Sequence, residues 1–192
     1  GKIQSIYSHL SSSSNEADDR FTDSQIHKLQ MANTLFKEHF EYPIPLHLLN
    51  SSAILRKFNM NSYELFRVGI LLYGGLAHPK LKPIAELKCP ISDIRIVEPG
   101  ESVGYGRKHI LTKKTKVAII PFGYADGLQR DWGNGRLKFY YNKMLLPTVG
   151  HISMDSCAIN ISSVENISIG DDVVYFGNER PIWDVAKELN TI

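Results

Sequence analysis

Only two cysteines occur in 192 residues, Cys89 and Cys157, far apart and without metal-ligand spacing. They give no disulfide framework and no metal site, and they point to a reducing compartment, the cytoplasm. Long hydrophobic runs are missing too: nothing approaches the roughly 18 to 20 apolar residues of a membrane span, and no signal-peptide pattern opens the chain. No membrane partner is expected. Charge of one sign is scarce as well, since 22 basic residues stand against 20 acidic ones for a net +2. Bulk electrostatics therefore gives no case for nucleic acid. The chain also has no initiator methionine. It starts in the strand-like GKIQSIYSHL and stops as the amphipathic PIWDVAKELNTI ends, so it reads as a piece cut from a longer protein.

The composition is globular, 43% hydrophobic and 22% charged, enough to bury one large core or two small ones. Its texture changes once. Thr22 and Gln25 have capping-box spacing, and Ile26, Leu29, Phe36 and Phe40 share a helical face, which predicts a helix over 23–40. The run IPLHLLN at 44–50 predicts a strand, 51–58 a helix, and LFRVGILLYG at 65–74 another strand. Strands alternating with helices imply βα units around a parallel sheet. The serine run in HLSSSSNEADD reads as a surface loop. After Pro79 the pattern becomes short strands divided by glycine, asparagine and proline: KVAIIPFG, RLKFYYN, KMLLPTVGHISM, CAINIS and DDVVYFG. Period-2 alternation there predicts an antiparallel β domain. The boundary falls near residue 80.

Several residue groups carry possible chemistry. In ESVGYGRKH, glycines on both sides of Tyr105 free the backbone to turn sharply, so the ring is presented rather than packed. On this stretch alone a tight turn with a decorative aromatic fits as well. Ser51, Gly69 and Ile70 sit where βα units often hold a phosphate, although Ser51 could simply cap the following helix. Arg67 is embedded in apolar residues and must either snorkel to solvent or meet a specific partner. His9 lies near the end of the first strand, where a lone histidine is commonly structural. GYADG at 123–127 and GHISMD at 150–155 each set a glycine beside a polar or aromatic group, and either can be a plain turn.

Taken in order, YSHL, LNSS, FRVGILLYG, ESVGYG, IPFGYADGLQR and VGHISMDSCAINI resemble segments of the bacterial alanine racemases, across nearly the whole chain. The resemblance implies an α/β plus all-β fold: residues 1–79 as the last strands of a β/α barrel that binds pyridoxal phosphate, and 80–192 as the antiparallel β domain of the racemase C-terminal type. It implies an isomerase that interconverts L- and D-alanine through a pyridoxal phosphate aldimine, supplies D-alanine for peptidoglycan, and works as a head-to-tail homodimer with shared sites. By the same resemblance Tyr105 is the base for the L-enantiomer, linked through His9 to Arg67, and Arg67 also faces the pyridine nitrogen. Ser51, Gly69 and Ile70 match the phosphate cradle, Met154 the residue whose N–H meets the substrate carboxylate, and Tyr124 an aromatic at the entrance. Arg130 and His151 match positions further out, where the family often has arginine at the second. The Schiff-base lysine and a C-terminal phosphate-binding tyrosine match nothing here, so the chain alone is expected to be inactive. The alternatives are a non-catalytic pyridoxal-phosphate-binding or dimerisation module, and a racemase for serine or lysine.

Overall fold

The computed structural model describes residues 1–58, 63–107 and 109–191, and the chain divides into two compact units, Gly1–Leu76 and Ala77–Ile192. In the first, β1 (Ile6–Tyr7) pairs in parallel with β2 (Leu46–His47), in the register Ile6↔Leu46 and Tyr7↔His47. The crossover between them is α1 (Asp19–His39), and α2 (Ser51–Leu55) follows β2. Ile26 and Leu29 of α1 pack on Leu10, Leu46, Leu48 and Leu49. Each such leucine contributes roughly 1.5–3 kcal/mol by leaving water.

Three expectations need correction. The helix begins at Asp19, not Asp23, because a 3-10 turn over Glu16–Asp18 leads into it, with Asn15 Oδ1 accepting the Ala17 N–H at 3.2 Å. Thr22 lies inside α1, fully buried, and caps nothing. The serine run is not all surface: Ser13 is only 2% exposed and donates to Asn50 Oδ1 at 2.8 Å, so a small hydroxyl fills a site that a larger side chain could not. Finally, 65–74 forms no strand beyond a single parallel bridge between Leu65 and His47. Gly69 breaks the extended run, Ile70–Tyr73 winds into a 3-10 turn, and Gly74 ends it at φ +60°. A short apolar run does not by itself separate strand from turn.

The second unit is a curled antiparallel sheet of seven strands. In chain order these are β3 (Leu87–Pro90), β4 (Asp93–Val97), β7 (Thr115–Ile120), β8 (Lys138–Tyr141), β9 (Met144–Val149), β10 (Cys157–Asn160) and β11 (Asp172–Phe176). Their order across the sheet is β3-β11-β8-β9-β10-β7-β4. A separate hairpin, β5 (Ser102–Val103) with β6 (His109–Ile110), stands outside it. Strands β8 and β9 turn through Asn142 (φ +44°) and Lys143 (φ +65°), both left-handed as a two-residue hairpin of matching twist requires. Strand β9 then changes partner: residues Met144–Pro147 pair with β8, and Thr148–Val149 with β10.

Inside the curl lie Ile120, Leu137, Phe139, Leu146 and Ile159, joined by Val185 and Leu189 of α3 (Ile182–Leu189). Cys89 and Cys157 are free and buried in this core, where burial pushes their thiols up to about 11 and about 12. They are neutral packing groups at physiological pH. Just before α3 the buried Arg180 meets Glu188 at 2.8 Å, and Lys138 reaches the other oxygen of that carboxylate at 2.6 Å. Among the described residues, no helix is long and apolar enough to cross a membrane.

Candidate functional site

In the first unit the site is organised by Arg67. Its N–H donates to the Leu49 carbonyl at 3.0 Å, which sets the residue beside the strand ends. Its half-buried guanidinium then finds specific partners rather than reaching for solvent. Nη2 lies 2.9 Å from His9 Nδ1, and Nη1 is 3.4 Å from His47 Nδ1. An arginine has only donors, so His9 Nδ1 must accept, which leaves the ring hydrogen on Nε2. His9 thus presents an N–H on the side away from Arg67. The Tyr7 ring stacks on His47 at 5.3 Å and lies 5.7 Å beneath the guanidinium carbon, within cation–π range.

Ser51 stands at the start of α2 and is 7% exposed. It is not the cap. Asn50 fills that role, its Oδ1 accepting the Ala53 N–H at 3.1 Å while its amide donates to the Leu10 carbonyl. The Ser51 oxygen instead accepts the Gly69 N–H at 3.2 Å, so its own hydrogen remains to be donated elsewhere. Beside it, a Cβ placed on Gly69 would meet nothing within 4 Å, and Ile70 opens a 3-10 turn whose first N–H groups have no acceptor within the turn. Serine hydroxyl, open space and the opening of the turn adjoin one another there.

In the second unit Tyr105 rides on the turn joining β5 to β6. Gly104 (φ +83°) and Gly106 (φ +72°) both take left-handed backbone, and the ring is 69% exposed. It divides two hollows. One, of about 510 Å³, is lined by Tyr105, Gly106, Arg130, Asp131 and His151. The other, of about 400 Å³, is lined by Gly104, Tyr105, Ser153, Met154, Asp155 and Ser156. Tyr124 adjoins the second through its turn, since its N–H donates to the Ser153 carbonyl at 3.0 Å and that of Ala125 to the Met154 carbonyl at 2.9 Å. Both Tyr124 and Met154 leave their side chains exposed.

The candidate residues therefore fall into two sets, each gathered within its own unit: His9, Ser51, Arg67, Gly69 and Ile70 in one, Tyr105, Tyr124, Arg130, His151 and Met154 in the other. Sequence reasoning missed Tyr7, His47 and Asn50. Only the register Tyr7↔His47 brings the first two together, and register is not visible in either segment alone. Among the described residues, no group of three or more histidine, cysteine or acidic side chains could hold a metal ion.

This geometry can be compared with known proteins. The alanine racemase of Clostridium tetani is 33% identical over 199 residues, an alignment that takes in all of this chain and 51% of that protein. An amino-acid racemase of Enterococcus faecalis is 32% identical over 204 residues, again across all of this chain and 28% of that protein. The crystal structure of alanine racemase from Bartonella henselae with covalently bound pyridoxal phosphate matches the whole chain and 53% of its own, with a TM-score of 0.79 at 28% identity. The chain spans about half the length of the curated alanine racemases it matches. A family model for the alanine racemase N-terminal domain matches residues 1–77, and one for the C-terminal domain matches residues 84–192. The chain, in both its units, thus belongs to the alanine racemase family.

Proposed function

We propose that this chain is part of a pyridoxal-phosphate-dependent racemase that interconverts L- and D-alanine in the cytoplasm, working as a homodimer with shared sites. The observation that carries the reading is the 2.9 Å contact between Arg67 and His9, which fixes a cation and an oriented imidazole side by side. The residues of the first unit also fit the cofactor: a donor-ready Ser51 hydroxyl and the Ile70 amide suit a phosphate, and the open space at Gly69 admits it. When bound, pyridoxal phosphate supplies the electron sink that acidifies the α-hydrogen of the amino acid joined to it. Arg67 would hold the ring nitrogen, and because a guanidinium keeps its protons it hydrogen-bonds that nitrogen without protonating it. His9 offers its Nε2–H to the phenolic oxygen of Tyr105 from a second subunit, and Tyr105 takes or returns the α-proton on the L face. A lysine for the D face, which also anchors the cofactor, belongs to the half of the relatives' length that this chain does not span. Residues 1–79 act as the last strands of a β/α barrel, and 80–192 as the domain that carries Tyr105. Met154 contacts the substrate carboxylate through its N–H, and Tyr124 narrows the approach.

A second reading is a racemase for another amino acid such as serine or lysine, favoured by the broader name of the Enterococcus faecalis relative. Incubating the full-length protein with pyridoxal phosphate and, in separate samples, L-alanine, L-serine or L-lysine in deuterium oxide separates the two. D-alanine carrying deuterium at Cα supports the alanine assignment, exchange with serine or lysine alone selects the second reading, and exchange with none overturns both. In the same protein Ser51→Ala should weaken pyridoxal phosphate roughly ten- to a hundredfold, the worth of a hydrogen bond to a charged group. An unchanged dissociation constant removes Ser51 from the cradle.

A further inference from the structure

The Tyr105 ring is too exposed to be located by its own packing, so its position is set at its root. That root is built from backbone against backbone. A Cβ on Gly150, the residue that follows β9, would lie 2.5 Å from the Val103 carbonyl oxygen and 3.0 Å from its carbon. Both are main-chain atoms of β5, and no rotamer change can move them aside. The approach is mutual, since a Cβ on Gly104 would lie 3.2 Å from the His151 nitrogen. Beneath this pair a third segment closes up: a Cβ on Gly133 would sit 2.4 Å from the Gly150 carbonyl oxygen, and the Asn134 N–H donates to that same oxygen at 2.8 Å. Three segments, 103–104, 150–151 and 133–134, are therefore layered without side chains between them. The stack rests on the core through the buried Trp132, Val149 and Ile152.

We propose that Gly150 is a positioning residue for the racemisation step: by admitting β5 to main-chain contact it sets where the Tyr105 phenol stands. The inference rests on the reading of Tyr105 as the L-face base and names what aims it. Filling the contact pushes β5 outward, and the displacement is passed from Val103 through Gly104 to Tyr105, two residues along. Gly104 also permits a graded test, because 3.2 Å asks its neighbour to yield by only a few tenths of an ångström. Gly100 is the matched control. It has a left-handed backbone at φ +89°, but a Cβ there would meet nothing within 4 Å.

The test compares Gly150→Ala, Gly104→Ala, Gly100→Ala and Tyr105→Phe in the full-length racemase by α-proton exchange from each alanine enantiomer. Misplacing a catalytic group by about 1 Å costs on the order of a hundredfold, so Gly150→Ala should lose that much exchange from L-alanine while keeping exchange from D-alanine. Gly104→Ala should lose less in the same direction, and Gly100→Ala should show no preference between enantiomers. Fluorotyrosine NMR of the full-length protein without added pyridoxal phosphate, with the Tyr105 signal assigned by Tyr105→Phe, gives a readout besides activity. That signal should move in Gly150→Ala and stay in place in Gly100→Ala. Equal loss for both enantiomers in Gly150→Ala, an unmoved fluorine signal in that variant, or an L-selective loss in Gly100→Ala would overturn the proposal. If Gly150→Ala does not fold, Gly104→Ala decides alone. An unselective Tyr105→Phe overturns the reading of Tyr105 and this inference with it, whereas a selective Tyr105→Phe beside an unselective Gly150→Ala overturns the inference only.

Discussion

Tyr105→Phe in the full-length racemase should lose about 10²- to 10⁴-fold in exchange of the L-alanine α-hydrogen, roughly 3 to 5.5 kcal/mol of transition-state stabilisation. Exchange from D-alanine should fall far less. The substitution keeps the ring and deletes one oxygen. Because that ring is 69% exposed, stability should change by no more than about 0.5 kcal/mol, as for other surface positions. The asymmetry arises because racemisation needs a proton taken from one face and returned on the other. Net racemisation must nevertheless slow equally in both directions, since the equilibrium constant is untouched. Single-enantiomer exchange in deuterium oxide, on proteins matched in thermal stability, reads the effect. Equal losses for the two enantiomers would return Tyr105 to the decorated turn that its flanking glycines first suggest.

The second large effect concerns stability. Arg180 is 5% exposed, and Glu188 is its carboxylate partner at 2.8 Å. Removing one member of a buried pair strands the other charge away from water, so Glu188→Ala should cost about 3–5 kcal/mol. Replacing both residues with leucine should recover much of that loss, because it removes the desolvated charge as well as its partner. Denaturant unfolding of the 192-residue chain measures both variants, and a double variant no more stable than Glu188→Ala would contradict the account. The pair also makes stability depend on pH. Burial alone would raise the Glu188 carboxyl, but hydrogen bonds from Lys138 and Arg180 outweigh it and hold the group below its ordinary value of 4.5. A depressed carboxylate stabilises the fold fully above its unfolded value and loses that contribution as pH falls through its folded one. Wild-type protein should therefore lose more stability than Glu188→Gln on acidification below about pH 4.5, near the unfolded titration of a glutamate. Parallel curves for the two proteins would exclude this contribution.

Legibility from sequence followed the range of the signals. The strands of the second unit were plain because their alternation is local and their ends carry glycine or asparagine: Lys138–Tyr141 and Cys157–Asn160 fall inside the segments KFYYN and CAINIS. The exposure of Tyr105 followed from Gly104 and Gly106, whose left-handed backbone is a property of the residues themselves. Other features depended on what lies across space. Ser13 is buried only because Asn50, 37 positions away, turns its Oδ1 toward it. The run at 65–74 looks like a strand until Ser51 captures the Gly69 amide and the chain turns. Thr22 and Gln25 had the spacing of a cap without the position, since Asn15 and a short 3-10 turn begin the helix earlier. At the site, the family resemblance pointed to His9, Arg67 and the link between them, and the structure brings the two to 2.9 Å, whereas the neighbouring Tyr7 and His47 depend on strand register. Glycines such as Gly150 read as ordinary turns, because a close approach leaves no mark in the residues that make it.

The two-residue turn at Asn142–Lys143 also bears on the order in which the second unit assembles. A hairpin closed by so short a loop forms in about 1–10 μs, before any distant pairing has been searched. Strands β8 and β9 can thus meet first, and the change of partner along β9 then offers Thr148 and Val149 as the template for β10. By contrast β3 and β11 join Cys89 to Val173, and a loop of that span closes only at a large entropic cost unless the intervening strands already stand. The sheet should therefore grow from its middle outward. In pulse-labelled hydrogen exchange during refolding, the Phe139 and Leu146 amides should gain protection ahead of those of Cys89 and Val173, and the reverse order would refute a central nucleus. The strand end that seats the Tyr105 hairpin would then be laid down at the start of folding, with the edges of the sheet closing last.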